Sequence, residues 1–324
     1  MTRPIPVPAE LLAFLQEGTR FIVAGHKEPD GDCVGSQLAL CSILRRMGKE
    51  AIPCSAGPFK RPEILPYASL FRSSLSEEER RGSRVLVLDC SMSERVGDLE
   101  TYIKDLPTAI IDHHASGSSY GDISFLDAQA PSVTFMVLAL IEALGLKPTK
   151  EEAELLFFGL CTDTGFFRHL GSGSELTFEY ASRLVRAGAS PKETFQAMNG
   201  GKSLDSRKLM GIILERTEAY FEGKLLLSYE TQEETTRFGL QGRDSDAVYQ
   251  LLQSVQGVEA VVLIRQETED NCTVGLRSRA GVNVADIASQ FGGGGHVQAA
   301  GLSKKGTIAE LKEKLLEAFS KLLL

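Results

Sequence analysis

The stretch IIDHH at residues 110–114 is an apolar strand segment that ends in one carboxylic acid and two imidazoles. The chain has five histidines in 324 residues, and two of them are adjacent here. Adjacent histidines at the end of a buried strand have little structural purpose. We therefore expect Asp112, His113 and His114 to bind a metal ion or to act in catalysis.

A third histidine also ends an apolar run. His26 follows the residues FIVAG, and Asp30 and Asp32 come shortly after it. Gly31, between the two acids, lets the backbone turn sharply, so a loop leaving the strand can bring all three side chains together. The pattern indicates a metal-binding loop, although Asp32 has the alternative role of capping the helix that follows.

Two further acids follow apolar segments. Asp89 comes directly after the strand pattern VLVL at residues 85–88, where an acid is either a turn residue or a ligand. Asp163 ends an apolar helical segment, where the helix dipole disfavours negative charge. An acid in that position requires a positive partner, so Asp163 joins the candidate ligands.

Strand-length apolar runs alternate with segments of helical period through the first half of the chain. This alternation predicts an α/β fold in which a mainly parallel sheet is flanked by helices. Ligands bind beyond the carboxyl ends of the strands in such sheets, and His26, Asp89 and Asp112 all lie at predicted strand ends. The predicted strands are residues 21–25, 51–55, 84–89 and 108–112, and the predicted helices include 131–144 and 151–161.

A change of composition at about residues 188–206 indicates two domains, as a chain of this length also suggests. We expect a catalytic metal-binding domain at 1–188, a linker at 189–215 and a smaller substrate-binding α/β domain at 216–324, with an active-site cleft between the two domains. Predicted strands of the second domain are 224–229, 259–266 and 272–277. Its predicted helices are 246–253, 284–291 and 308–322.

Composition and charge exclude several classes of protein. The chain is 43% hydrophobic and 24% charged, as soluble globular proteins are. No apolar run approaches the ~20 residues that cross a bilayer, so we expect a cytoplasmic protein without a membrane partner. Six cysteines without CxxC pairs indicate reduced thiols. A net charge of −8 argues against binding to long double-stranded nucleic acid.

The candidate ligands predict the kind of metal centre. Four carboxylates balance the charge of two divalent cations, which favours a dinuclear site. Oxygen and imidazole ligands without thiolate suit Mn²⁺ better than structural Zn²⁺. Two such ions can clamp the attacking and leaving oxygens of an in-line displacement at phosphorus. The candidates provide four aspartates and two histidines as direct ligands.

The motifs together resemble those of the DHH phosphoesterase superfamily. The resemblance covers about residues 20 to 305 in the expected order, and the chain length is similar to that of the short oligoribonuclease and pAp-phosphatase branch. The C-terminal motifs resemble those of the DHH-associated domain. The motifs are HKEPDGD at 26–32, VLDC at 87–90, DHH at 112–114, GLCTDTG at 159–165, RS at 277–278 and GGGGHVQAAG at 292–301.

The resemblance implies a role for each site residue. Asp112 would orient an imidazole or a water molecule, and His114 would face the scissile phosphate and stabilise charge there or protonate the leaving oxygen. Arg277 can hold a phosphate through its planar fork, and the glycines can bring backbone N–H groups to it unless they form only a flexible loop. The implied metal ligands are His26, Asp30, Asp32, Asp89, His113 and Asp163, and the implied substrate contacts are Arg277, Ser278, Gly293, Gly294, Gly295 and His296.

The implied activity is manganese-dependent hydrolysis of short RNA oligonucleotides to mononucleotides, with 3′-phosphoadenosine 5′-phosphate as a second substrate. Alternatives are a cyclic- or linear-dinucleotide phosphodiesterase and, from another class, a non-catalytic nucleotide-binding regulator. A homodimer is left open. Cys33 departs from the family pattern, which more often has a small apolar residue there, and its thiol could make the site sensitive to oxidation or soft metals.

Overall fold

A computed structural model describes residues 5–114, 120–279 and 281–323. The chain divides into two compact units, Met1–Gly201 and Lys202–Leu324. The boundary falls within the predicted linker, residues 189–215, whose residues form two helices, α8 (Pro191–Asn199) and α9 (Leu204–Glu215). Each unit has its own sheet.

The predicted parallel sheet is confirmed in the first unit. Its strands, among the described residues, lie in the order β2-β1-β3-β4-β5, and every neighbouring pair is parallel. Both faces are buried: Phe21 and Val23 pack on one side of β1 and Ile22 and Ala24 on the other. The strands are β1 (Arg20–Gly25), β2 (Glu50–Cys54), β3 (Arg84–Leu88), β4 (Thr108–Asp112) and β5 (Ile123–Leu126).

Helices of the first unit cover this sheet. Asp30 is the N-cap of the helix after β1, because its Oδ1 accepts hydrogen bonds from the N–H groups of Asp32 and Cys33. The alternative role considered for Asp32 therefore belongs to Asp30. The helices are α1 (Ala9–Glu17), α2 (Gly31–Arg46), α3 (Glu77–Arg80), α4 (Glu100–Ile103), α5 (Val133–Ala143), α6 (Lys150–Asp163), α7 (Glu175–Ala187) and α8, with 3₁₀ turns at Pro62–Leu70, Ser93–Arg95 and Gly97–Leu99.

Close approach of α2 and α6 fixes the position of the loop between β1 and α2. A Cβ at Gly35 of α2 would lie 2.5 Å from the carbonyl oxygen of Leu155, and one at Gly31 would lie 2.5 Å from Thr162 Cγ2. Only glycine permits this contact without a shift of the backbone. As a result, the end of α6, where Asp163 lies, is held beside the beginning of α2.

The second unit is a mixed sheet with helices on both faces. Its strands, among the described residues, lie in the order β10-β11-β9-β8-β7-β6, with β7 and β8 parallel and the other pairs antiparallel. The strands are β6 (Glu218–Tyr220), β7 (Leu225–Glu230), β8 (Ala260–Thr268), β9 (Asn271–Ser278), β10 (Gly294–His296) and β11 (Ala299–Lys305). The helices are α9, α10 (Gln232–Phe238), α11 (Ser245–Gln253), α12 (Val284–Gln290) and α13 (Ile308–Leu323), with a 3₁₀ turn at Leu240–Gly242.

The described helices include none with the length and apolar character that a membrane crossing requires.

Candidate metal centre

Side chains from three neighbouring strands meet at the carboxyl edge of the first sheet. His26 follows β1, Asp89 follows β3 and His113 follows β4. Nε2 of His26 lies 3.4 Å from Asp89 Oδ2, and Nε2 of His113 lies 3.6 Å from Asp89 Oδ1. The fourth element is the end of α6, where Asp163 Oδ2 lies 3.3 Å from His113 Nε2. His26 and His113 thus lie beside Asp89, and Asp163 lies beside His113.

The two imidazoles are oriented by main-chain carbonyl groups. Nδ1 of His26 donates to the carbonyl of Lys27 at 2.8 Å, and Nδ1 of His113 donates to the carbonyl of Ala130 at 3.1 Å. A carbonyl can only accept, so Nδ1 carries the proton in both rings. Each Nε2 then faces the acids with a lone pair that a metal ion held between them could accept.

Asp89 occupies a strained and buried position. Its backbone φ of 59° lies in the left-handed region, which is costly for a residue other than glycine. Its side chain is almost fully buried, and Oδ1 has no hydrogen-bond partner among the described residues. Buried carboxylate oxygens normally have partners. The unpaired oxygen is the feature that fits a cation best.

Asp32 is held by the beginning of α5. Its Oδ2 accepts from the N–H of Val133 at 2.6 Å, and its Oδ1 accepts from the N–H and the hydroxyl of Thr134 at 2.9 and 2.7 Å. Gly159 of α6 leaves room for this pair, because a Cβ there would lie 2.4 Å from Thr134 Cγ2. The free N–H groups of a helix N-terminus stabilise such a carboxylate.

Among the four predicted acidic ligands, burial raises the pKa of Asp32, Asp89 and Asp163. It raises the pKa of Asp89 well above its usual range, and it raises that of Asp163 to about 7, with the charge of Asp32 adding to the effect. The pKa of Asp32 is also raised, chiefly by burial. The acids repel one another, and a divalent cation would remove that repulsion.

Three groups of side chains have ligand atoms within 4.8 Å of one another. They share Asp89 or His113, so they describe one connected cluster. Oxygen and imidazole predominate, which suits hard divalent ions. The groups found among the described residues are Asp89, His113 and His114; Asp32, His113 and Asp163; and His26, Cys33 and Asp89.

Asp112 holds His114 in place. Its Oδ1 accepts from Nδ1 of His114 at 2.7 Å and from the backbone N–H groups of His113 and His114 at 2.7 and 3.1 Å. Although burial opposes ionisation, the hydrogen bonds from His114 hold the pKa of Asp112 at about 2. The same hydrogen bond raises the pKa of His114. Nε2 of His114 is left for another partner, and this side chain is partly exposed.

Arg277, on β9 of the second unit, rests on an aromatic ring. Its guanidinium carbon lies 4.6 Å from the centroid of Tyr249, and its Nη1 donates to the carbonyl of Leu276. Such stacking holds the fork in one orientation. Ser278 is buried, and its hydroxyl donates to the carbonyl of Val282 at 2.6 Å, so its predicted contact with substrate stays a prediction.

The glycine-rich stretch at residues 292–295 is not a loop throughout, because its second half belongs to a strand. Gly294–His296 is the short strand β10, in which Gly295 pairs with Ala300 of β11. Gly295 has φ 147°, and a Cβ there would lie 2.5 Å from the carbonyl oxygen of Ala299. Among the described strands β10 is at the edge of the sheet, and His296 is exposed. Its backbone therefore has a free side for a ligand.

The sequence did not predict the residues that position the site side chains, because these residues are distant from them along the chain. Thr134 positions Asp32 across 102 residues, and Ala130 orients His113 through a carbonyl, which has no sequence signature. Tyr249 lies under Arg277 but is distant in sequence. The residues SVT at 132–134 are a recognisable N-cap signal for α5. Their distance along the chain from Asp32 does not reveal that the two lie opposite each other.

The chain matches two family models. Residues 20–160 match the N-terminal domain of the DHH family, and residues 222–323 match the DHHA1 domain. These matches lie in the two structural units described above.

Curated relatives span most of the chain. It is 31% identical over 91% of its length to the bifunctional oligoribonuclease and PAP phosphatase NrnA of Thermus thermophilus, covering 88% of that protein. It is 30% identical to the protein of that name from Bacillus subtilis, covering 91% of this chain and 92% of the relative. The cyclic-di-AMP phosphodiesterase PdeA of Listeria monocytogenes is 26% identical over 95% of this chain, which covers 48% of that protein.

Solved structures share the fold. An exopolyphosphatase-related protein from Bacteroides fragilis superimposes with a TM-score of 0.84 at 24% identity, covering 97% of this chain and 96% of that one. A manganese-bound RecJ exonuclease superimposes with a TM-score of 0.54 at 17% identity, covering 99% and 96%.

Proposed function

Because the chain belongs to the DHH family of phosphoesterases, we propose that it hydrolyses short RNA oligonucleotides to mononucleotides and 3′-phosphoadenosine 5′-phosphate to AMP. One observation carries the proposal: Asp89, buried and strained at a strand end, directs at a cluster of imidazoles and acids a carboxylate oxygen that accepts no hydrogen bond from the described residues. A non-catalytic regulator has no need to retain so costly an arrangement.

The cluster would hold two divalent ions, with manganese preferred because the ligand set is mostly oxygen and nitrogen. When bound, such ions supply positive charge to the phosphoryl oxygens and acidify water. Asp89 lies within 3.6 Å of the Nε2 atoms of both His26 and His113, so it is suited to serve both ions. The proposed ligands are His26, Asp30, Asp32, Asp89, His113 and Asp163.

His114 would act on the phosphate through Nε2. The hydrogen bond to Asp112 fixes its ring and raises its pKa, which favours the protonated imidazole. It can then donate that proton to the leaving oxygen or stabilise negative charge on the phosphoryl group. Asp112 remains ionised and keeps the ring oriented.

The second unit would bind a terminal nucleotide. Arg277 offers two parallel N–H donors to a phosphate, the edge of β10 offers backbone groups at Gly294, and His296 offers a further donor. Gly293, Gly295 and Ser278 would shape the segment around them. With a net charge of −8, the chain gives additional phosphates little attraction, so the proposed substrates are short.

The test is a panel of four substrates with Mn²⁺: 3′-phosphoadenosine 5′-phosphate, the dinucleotide pApA, a short RNA and cyclic di-AMP. We expect the highest kcat/KM on pApA or the short RNA. The likeness to PdeA makes cyclic di-AMP the second candidate substrate. Preference for cyclic di-AMP would favour that alternative, and metal binding without turnover of any of the four would favour a regulator.

A further inference from the structure

Cys33 lies at the metal cluster but has no role in the proposed reaction. It is in the first turn of α2 and fully buried. Its Sγ, a ring nitrogen of His26 and a carboxylate oxygen of Asp89 all lie within 4.8 Å of one another. These distances allow one ion to reach all three, because zinc–ligand bonds are about 2.0–2.3 Å long.

The thiol is held in this position by its surroundings. Sγ is 3.4 Å from Gln37 Oε1, and the amide of Gln37 is fixed because Nε2 donates to the carbonyls of Val23 and Cys54 at 2.9 Å each. A Cβ at Gly25 would lie 2.3 Å from Sγ, so glycine leaves the space that the sulfur fills. With S–H directed at Gln37, the sulfur lone pairs remain for another partner.

Asp89 gives an independent indication of a cation here. Its side chain is more than nine-tenths buried, and within the described chain Oδ1 accepts no hydrogen bond. The other oxygen, Oδ2, lies 3.4 Å from Nε2 of His26, whose Nδ1 is engaged by the carbonyl of Lys27. Sulfur, nitrogen and oxygen donors therefore converge on one place.

We propose that His26, Cys33 and Asp89 form a site that selectively binds thiophilic divalent ions such as Zn²⁺, Cd²⁺ and Co²⁺. Thiolate favours these ions over Mn²⁺, which prefers oxygen and imidazole. On binding, the S–H bond breaks, its proton passes to solvent and the sulfur forms the bond to the ion. The inference rests on the proposed metal centre, because such an ion occupies two of its ligands. Zn²⁺ would therefore displace the working ion and inhibit.

Cobalt absorption tests the proposal without an activity assay. Metal-free protein titrated with Co²⁺ should show the visible d–d bands of bound cobalt and a near-ultraviolet thiolate-to-cobalt charge-transfer band. Cys33→Ala should lose the charge-transfer band and keep visible bands. Its affinity for Zn²⁺ should fall at least about tenfold, while that for Mn²⁺ stays unchanged. Cys41→Ala is the matched control, because Cys41 is on the same helix, equally buried and outside the metal-binding groups.

The possible results distinguish a failure of the Cys33 proposal from a failure of the proposed metal centre. Visible bands without a charge-transfer band in the wild-type protein would overturn the role of Cys33 and leave the proposed function standing. No bound cobalt at all would overturn the metal centre itself. If Cys33→Ala does not fold, Cys33→Ser keeps a hydroxyl in the space, and retention of the charge-transfer band in that variant would equally reject the proposal.

Discussion

The cluster at the carboxyl edge of β1, β3 and β4 differs from the region formed by β9, β11 and β10 of the second sheet in how its charged groups are accommodated. In the first, Asp89 is buried, strained and unpaired at Oδ1 among the described residues. In the second, Arg277 stacks on Tyr249 and His296 is exposed. The first arrangement buries a carboxylate oxygen without a hydrogen-bond partner among the described residues and is unfavourable without a ligand, whereas the charged groups of the second are stacked or exposed. We infer that the first region carries out the hydrolysis and that the second binds the substrate.

The largest expected effect comes from removing the unpaired acid. Asp89→Asn should lower kcat at least about a thousandfold, since bound divalent ions contribute several kcal/mol to the transition state. Metal analysis should show fewer bound ions. Asp127→Asn is the control, because Asp127 follows β5 and its Oδ1 accepts from the N–H of Gln129, a bond that asparagine keeps.

The Asp89→Asn variant also tests whether the acid cluster destabilises the fold in the absence of metal. In metal-free protein, Asp89→Asn should raise the free energy of unfolding by on the order of 1 kcal/mol, because it replaces a buried carboxylate without adequate partners. Urea denaturation in the presence of a chelator measures this. A loss of stability would show that Asp89 is chiefly a structural residue.

The two neighbouring histidines should separate metal binding from chemistry. His114→Ala should lower kcat about a hundredfold or more with both ions retained, because its Nδ1 is engaged by Asp112. His113→Ala should lose metal, because its Nε2 faces Asp89 and Asp163. Kinetics together with metal content on the same samples distinguish the two. A His114 variant that loses its ions would reverse the assignment.

A smaller effect is expected in the second region. Arg277→Ala should chiefly raise KM, by an amount corresponding to about 1.5–3 kcal/mol for a lost charged hydrogen bond. Tyr249→Leu should raise KM by about 0.5–2 kcal/mol because the guanidinium loses its platform. Tyr249→Phe keeps the ring and is the matched control. A fall in kcat with KM unchanged would place Arg277 in the chemical step instead.

The smallest effect tests how closely a ligand approaches β10. A Cβ at Gly294 meets no described atom within 4 Å, so Gly294→Ala should leave the fold intact. If a phosphate contacts the backbone there, KM should rise roughly two- to tenfold. Gly211→Ala, with the same open space on α9, is the control. An unchanged KM in Gly294→Ala would remove this edge from the binding surface.

The two regions also differ in how far sequence predicts them. Apolar strands that end in His26, Asp89 and Asp112 carry their own signal, because parallel strands bring their ends to one edge. The strand β10 does not, since glycines have low strand propensity and pair here only because β11 lies beside them. Contacts such as Thr134 with Asp32 depend on tertiary packing that no local pattern encodes.

The most direct test of the central claim is kcat/KM with Mn²⁺ across labelled RNA from two to about 24 nucleotides, at fixed salt. We predict a steep fall beyond about five nucleotides and release of product after each cut, because further phosphates meet a chain of net charge −8. Equal or rising efficiency at about 24 nucleotides, or processive digestion, would contradict it.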